Sequence, residues 1–82
     1  MKLKDLIKNN DYDYISYRLK IPNDIDKYYG GSIFIGEAAS KDGKLISLDE
    51  DTIYDENDTV IDYEEWSKSE KNIKKGLTVV ID

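Results

Sequence analysis

The absence of cysteine is the feature that most constrains how this chain can fold. None of its 82 residues is a cysteine, so neither disulfides nor cysteine-based metal sites can add stability. A chain this short supplies only about 3–5 kcal/mol from its hydrophobic core and cannot divide into two cores. The sequence therefore predicts one small domain over residues 1–82, in which burial against a partner remains a possible source of further stability.

Histidine is absent as well, which narrows the chemistry open to the chain. Histidine is the commonest general base and the commonest transition-metal ligand in proteins. None of the serines has a visible activating base, and the glycine pair at residues 30–31 matches no phosphate-binding fingerprint. We therefore expect a protein that is not an enzyme and has no catalytic, cofactor-binding or metal site.

Hydrophobic periodicity predicts one helix followed by several strands. Leu3, Leu6 and Ile7 have the spacing of a single helical face within residues 2–9. Apolar and polar residues then alternate over residues 14–21, as in a strand with one buried face. Asp42-Gly43 predicts a hairpin turn, because such turns need positive φ angles. The predicted strands cover residues 14–21, 32–39, 44–48, 59–66 and 77–81.

Details of these strands suggest how they fit together. Gly36 inside its strand indicates a bulge or a close neighbour. In residues 59–66, strict alternation puts Val60 on the face of Asp62 and Glu64, so neither face is cleanly apolar. This favours an edge strand or a short strand that passes into a helix. Residues 67–76 are read as a polar connector. The predicted fold class is α+β: a short N-terminal helix packed on a mostly antiparallel sheet of four to five strands.

Negative charge is concentrated in one part of the chain. Residues 45–67 contain nine Asp and Glu residues but no Lys or Arg, although the net charge of the whole chain is only −6. The rest of the chain has all twelve Lys and Arg residues against nine acids, and is therefore mildly basic. We call residues 49–65 the acidic segment.

The acidic segment has three alternative interpretations. Solvation is the simplest, because charged loops keep a small domain soluble and discourage strand edges from pairing. A calcium loop starting at Asp55 fails, because Val60 stands where Gly is needed and Trp66 where a bidentate Glu is needed. The third alternative is recognition of a basic protein surface, for which carboxylates can imitate nucleic-acid phosphates.

The candidate partner-binding residues follow from the third alternative. They are the carboxylates of the acidic segment and the single tryptophan beside it, which is either an interface anchor or a residue that closes the edge of the core. The set is Asp49, Glu50, Asp51, Asp55, Glu56, Asp58, Asp62, Glu64, Glu65 and Trp66.

Other expectations concern partners and location. The strand at residues 77–81 is the most hydrophobic run in the chain, and is either core-facing or an exposed edge that forms a homodimer. The net charge disfavours direct binding of nucleic acid. No window approaches the length of a membrane span, and the first residues lack the apolar stretch of a signal peptide. We therefore expect a cytoplasmic protein that does not bind a membrane.

A resemblance to other proteins is carried by four stretches of the chain, residues 13–18, 42–49, 63–66 and 77–79. They resemble a family of small acidic proteins from phages and conjugative elements of low-GC Gram-positive bacteria. The resemblance spans most of the chain and implies a mobile-element context without a particular activity. In that context, small acidic proteins that block host defence or transcription machinery are frequent.

The functional hypothesis combines the charge layout with this resemblance. We expect a mobile-element accessory protein that binds another macromolecule through its acidic segment, as a nucleic-acid mimic or an inhibitor of host defence. The alternative is a self-associating structural protein whose acidic segment only maintains solubility.

Overall fold

One helix and five strands make up the regular structure of the described residues. A computed structural model describes residues 1–20, 32–50, 55–68, 70 and 72–82. The strands form a single sheet in the order β3-β2-β1-β5-β4, so the predicted α+β class is confirmed. The elements are α1 (Leu3–Ile7), β1 (Tyr14–Lys20), β2 (Ser32–Lys41), β3 (Lys44–Ser47), β4 (Val60–Lys68) and β5 (Ile73–Ile81).

The sheet is mixed but mostly antiparallel. β2 pairs antiparallel with both β1 and β3, and β4 pairs antiparallel with β5. The central pair, β1 and β5, is parallel, with Ile15 opposite Leu77 and Leu19 opposite Ile81. Each of the six paired residues of β1, from Tyr14 to Leu19, thus lies opposite a residue 62 positions later in the chain.

The core lies between α1 and one face of the sheet. Leu3, Leu6 and Ile7 are buried on the helix, as the helical spacing predicts. Because side chains alternate across a strand, one set from β1 and β5 faces this helix. The buried sheet and loop residues of the core are Tyr12, Ile15, Tyr17, Ala38, Val60, Leu77, Val79 and Ile81.

The chain just before β4 holds the start of α1 in place. A helix of five residues cannot be stable alone, and its first N–H groups have no partner inside the helix. Here the N–H of Leu3 donates to the carbonyl of Asp58 at 3.0 Å, and the N–H of Lys4 donates to the carbonyl of Glu56 at 2.8 Å. Backbone atoms of the acidic segment therefore complete the helix.

Two sequence signals in β2 are confirmed. Asp42 and Gly43 both have positive φ, at 54° and 78°, and join β2 to β3 as the predicted hairpin turn. The β1–β2 register slips between Tyr17 and Arg18, which leaves Ile35 beside Gly36 without an opposite residue. This is the bulge that Gly36 indicated.

The interpretation of residues 67–76 as a connector is wrong. β4 continues to Lys68 and β5 already begins at Ile73, with these two residues paired. Asn72, with φ of 57°, lies in the short link. The polar composition was misleading because β4 is an edge strand with mostly exposed residues, so its strand conformation does not depend on apolar alternation.

Strict alternation through residues 59–66 is also wrong. The register slips between Val60 and Asp62, so Ile61 is an extra residue in β4. Val60 is buried opposite Ile81, whereas Asp62 lies opposite Val80 and on the other face of the sheet. The bulge thus puts the apolar side chain of Val60 on one face of the sheet and the carboxylate of Asp62 on the other.

The final strand is not an edge. β5 lies between β1 and β4, and Leu77 and Val79 are fully buried, so the core-facing interpretation of this strand is confirmed. The edges of the sheet are β3 and β4, so of the two alternatives for residues 59–66 the edge strand is confirmed. Among the described residues, no helix has the length and apolar character needed to cross a membrane.

Candidate functional site

The face of the sheet opposite α1, which we call the open face, presents side chains in rows across the strands. Opposed residues of neighbouring strands lie on the same face. One row runs from Trp66 on β4 through Gly76 on β5 to Tyr14 on β1. The next row contains Glu64, Thr78, Ser16 and Glu37, and runs from β4 to β2.

Gly76 allows the Trp66 side chain to lie flat across the sheet. A Cβ atom at residue 76 would be 2.7 Å from Cδ2, Cε3 and Cζ3 of the indole, so only glycine leaves room for the ring. The indole Nε1 donates to Oγ1 of Thr78 at 3.0 Å. The ring also reaches Tyr14, with 5.7 Å between ring centroids and a 57° angle between ring planes. The two aromatic side chains form a corner.

A groove of about 500 Å³ lies beside this aromatic corner. Its lining includes the two aromatic rings, two carboxylates and, between them, the hydroxyl-bearing side chains of Ser16 and Thr78. The ammonium of Lys68 lies 5.8 Å from the centroid of the Trp66 ring. The lining residues are Tyr14, Ser16, Glu37, Glu64, Trp66, Lys68, Ile73 and Thr78.

The protonation state of the groove follows from burial and charge. Burial raises the pKa of Tyr14 above its ordinary value, and the charge and hydrogen bonding of Glu37 raise it further. Tyr14 therefore stays a neutral phenol at physiological pH and keeps its hydrogen bond with Glu37. Together, Glu37 and Glu64 make this groove an anionic site with an aromatic wall.

The residues of the acidic segment are not brought together on one surface. Asp62, Glu64 and Trp66 share the open face, whereas Glu65 lies on the opposite face of β4. Asp55, Glu56 and Asp58 lie in the turn before β4, while Asp49 and Glu50 follow β3. Asp51 lies outside the described residues. Within the described part of the chain, no group of three carboxylates is arranged to hold a metal ion.

Two of the predicted partner-binding carboxylates are hydrogen-bonded to core tyrosines. The hydroxyl of Tyr12 donates to Oε1 of Glu65 at 2.6 Å, and the hydroxyl of Tyr17 donates to Oδ2 of Asp58. Both tyrosine side chains are buried on the side of the sheet that carries α1. Asp58 and Glu65 thus give buried hydroxyl groups the partners that they require.

Because of Tyr12 and Tyr17, we expect the stability of the fold to be sensitive to alkaline pH. Burial raises the pKa of Tyr12 and of Tyr17 most, and the hydrogen-bonded carboxylates raise it further. The folded state therefore keeps protons that the unfolded chain loses above about pH 10. We expect the free energy of unfolding to be insensitive to these tyrosines below that pH and to decrease above it. Urea unfolding at successive pH values from 8 to 12 measures this.

The double variant Tyr12→Phe/Tyr17→Phe should have a clearly weaker dependence on alkaline pH than the parent chain. Tyr63→Phe is the matched control, because the side chain of Tyr63 is exposed on β4. An alkaline decrease of the same steepness in the double variant would show that other groups cause it.

Comparison of the chain with protein-family models, with curated proteins and with solved structures finds no match. The site therefore has to be interpreted from its own residues. Of its eight lining residues, the sequence-based set contained Glu64 and Trp66 only. Gly76 was the available signal for the rest, because glycine inside a strand often marks a close approach by another group.

Proposed function

We propose that this chain is a non-enzymatic, cytoplasmic accessory protein of a mobile genetic element that binds a macromolecule with a basic surface. The open face of the sheet is the proposed binding surface. The mobile-element context rests on the sequence resemblance alone. The binding role rests on the charge and on the geometry of the groove.

The groove beside Trp66 is the observation that carries the proposal. An aromatic ring next to carboxylates, on a sheet face that no other described element covers, offers both apolar contact and charge to a partner. Aromatic residues in partly enclosed positions are typical anchors of protein interfaces. A rigid sheet also holds them in place without an entropic cost at binding.

The proposed surface uses only part of the acidic segment. Asp62, Glu64 and Trp66 follow one another on the open face of β4, and about 7 Å separates alternate residues of a strand. Glu37 adds negative charge at the far end of the groove. Asp58 and Glu65 have structural hydrogen bonds instead, and the surface that we propose does not require them.

The more specific form of the proposal is inhibition by mimicry of nucleic acid. Carboxylates on a rigid surface attract a basic protein over long distances and speed up its association. A partner that normally holds phosphates would then be occupied by this chain. Such a complex should be weakened by salt, because exposed charges more than about 10 Å apart are screened at 0.1 M ionic strength.

Self-association is the second candidate function, and a different observation favours it. Ile46 and Leu48 on the β3 side and Phe34 on β2 are exposed apolar residues. They could pack against a second copy while the acidic residues only maintain solubility. A monomer by light scattering at all accessible concentrations would remove this alternative.

Affinity capture with matched charge variants tests the proposed function. We expect Asp62→Asn/Glu64→Gln to lose at least tenfold in binding to the partner retained by the parent chain, measured by titration of the purified partner. The control, Glu70→Gln/Asp82→Asn, removes the same charge from two exposed residues outside the groove. It should bind almost as well as the parent.

Two further measurements complete this test. Nucleic acid should compete with the chain for the purified partner if the mimicry version holds. Equal binding by the parent and by both variants would show that the open face is not the binding surface. Thermal unfolding of the three proteins verifies that any loss of binding is not a loss of folding.

A further inference from the structure

The aromatic corner of the open face already has a cation next to it. The ammonium of Lys68 lies 5.8 Å from the centroid of the Trp66 ring, within the distance at which the electrons of the ring attract a positive charge. The indole also packs against Gly76 of β5. The ring is therefore held on the sheet beside a cation that the chain itself provides.

We propose that this corner binds the guanidinium group of an arginine from the partner, and that Lys68 is an internal occupant which this arginine displaces. The inference rests on the proposed function and specifies the chemistry of its ligand. It assigns opposite roles to two neighbouring residues, because Glu64 promotes binding whereas Lys68 competes with the ligand.

The shape and charge of the groove favour guanidinium over ammonium. Guanidinium is planar and weakly hydrated, so it can lie against an indole ring while its edge donates hydrogen bonds to a carboxylate. Glu64 precedes Trp66 by two residues on the same face of β4, which places a carboxylate about 7 Å along the strand. An ammonium group is more compact and more strongly hydrated, and gains less from this combination.

Lys68 is suited to be displaced. Its side chain is exposed at the end of β4, and a cation–π contact at an exposed site is weak. An arginine that contacts both the ring and Glu64 makes more interactions than Lys68 makes with the ring. Loss of the Lys68 ammonium should therefore strengthen binding beyond what a change in net charge produces.

Fluorescence of the single tryptophan provides a direct measurement, because Trp66 is the only tryptophan in the chain. The probe is an acetylated and amidated five-residue peptide with alternating glycine and arginine. Two counterparts replace its arginines by lysine or by citrulline, which has the shape of arginine without the charge. The shift of the indole N–H resonance in NMR spectra provides a second reading of the same contact.

We expect the arginine peptide to bind more tightly than the lysine peptide and the citrulline peptide not to bind. Lys68→Met should tighten arginine binding about two- to fivefold, as expected for removing one exposed cation–π competitor. Glu64→Gln should weaken it. Lys74→Met is the matched control, because Lys74 is exposed on the adjacent strand and its loss changes the net charge equally. It should have a smaller effect than Lys68→Met.

Four results would overturn the inference. Equal gains in Lys68→Met and Lys74→Met would reduce the effect to net charge. Tighter binding of the lysine peptide would reject guanidinium as the ligand, and binding of the citrulline peptide would reject a cation altogether. If Asp62→Asn/Glu64→Gln abolishes partner capture but Lys68→Met leaves peptide binding unchanged, the inference fails while the proposed function stands.

Discussion

Leu77→Ala is expected to lower the free energy of unfolding by about 2–5 kcal/mol, the range for truncation of a buried leucine. Leu77 is fully buried, and its strand lies between β1 and β4. A cavity there touches both the helix-covered core and the central strand pair. The hydrophobic core of a chain this short supplies only about 3–5 kcal/mol, so the variant should unfold at a much lower urea concentration.

Lys74→Ala on the same strand is the control for this experiment, because its side chain is exposed. It should shift the urea midpoint very little, since surface substitutions away from special contacts are usually within about 0.5 kcal/mol. Equal midpoints for Leu77→Ala and Lys74→Ala would contradict the position of β5 inside the sheet.

Gly76→Ala is expected to lower the free energy of unfolding by about 1–3 kcal/mol, the usual cost of an added methyl group in a filled space. The new Cβ would be 2.7 Å from three atoms of the Trp66 ring. The ring must then move away from β5 and lose its contacts with Tyr14 and Thr78. Fluorescence emission should shift to longer wavelength as the indole enters water.

A double-mutant cycle isolates the cause of this effect. In a Trp66→Ala background, Gly76→Ala should be close to neutral, because the ring that it collides with is gone. The difference between the two backgrounds then measures the coupling between residues 66 and 76. Absence of coupling would mean that the indole does not lie over Gly76 and that the aromatic corner is not formed.

Local signals predict much of this fold. Alternation in residues 14–21 gave the buried face of β1, and the spacing of Leu3, Leu6 and Ile7 gave the buried face of the helix. Asp42-Gly43 gave the turn because few other residue pairs accept two positive φ angles. The predicted end of the first strand, residue 21, lies outside the described residues.

The failures have a common physical origin in the pairing of strands. β4 obtains its regularity from hydrogen bonds with β5 and not from an apolar face, so its extension to Lys68 left no trace in hydrophobic periodicity. The extra residue Ile61 reverses the alternation after Val60, and a bulge of this kind depends on the partner strand.

The candidate site was only partly predictable for the same reason. The acidic segment is continuous in sequence, yet alternation along β4 puts Glu64 and Glu65 on opposite faces of the sheet. Glu65 accepts a hydrogen bond from Tyr12, whereas Glu64 lines the groove. The corner of Trp66 and Tyr14 joins residues 52 positions apart, which meet only because β5 places Gly76 between them. No local pattern contains that information.

The parallel pairing of β1 with β5 also affects how fast the chain can fold. β1 is synthesised before its partner at the centre of the sheet, which lies 62 residues later. Without β5, Ile15 and Tyr17 lack Leu77 and Val79, which lie opposite them on the parallel strand and belong to the same core. Because contacts so distant in sequence slow folding, we expect the core to close slowly. The many charged side chains favour solubility while the core is still open.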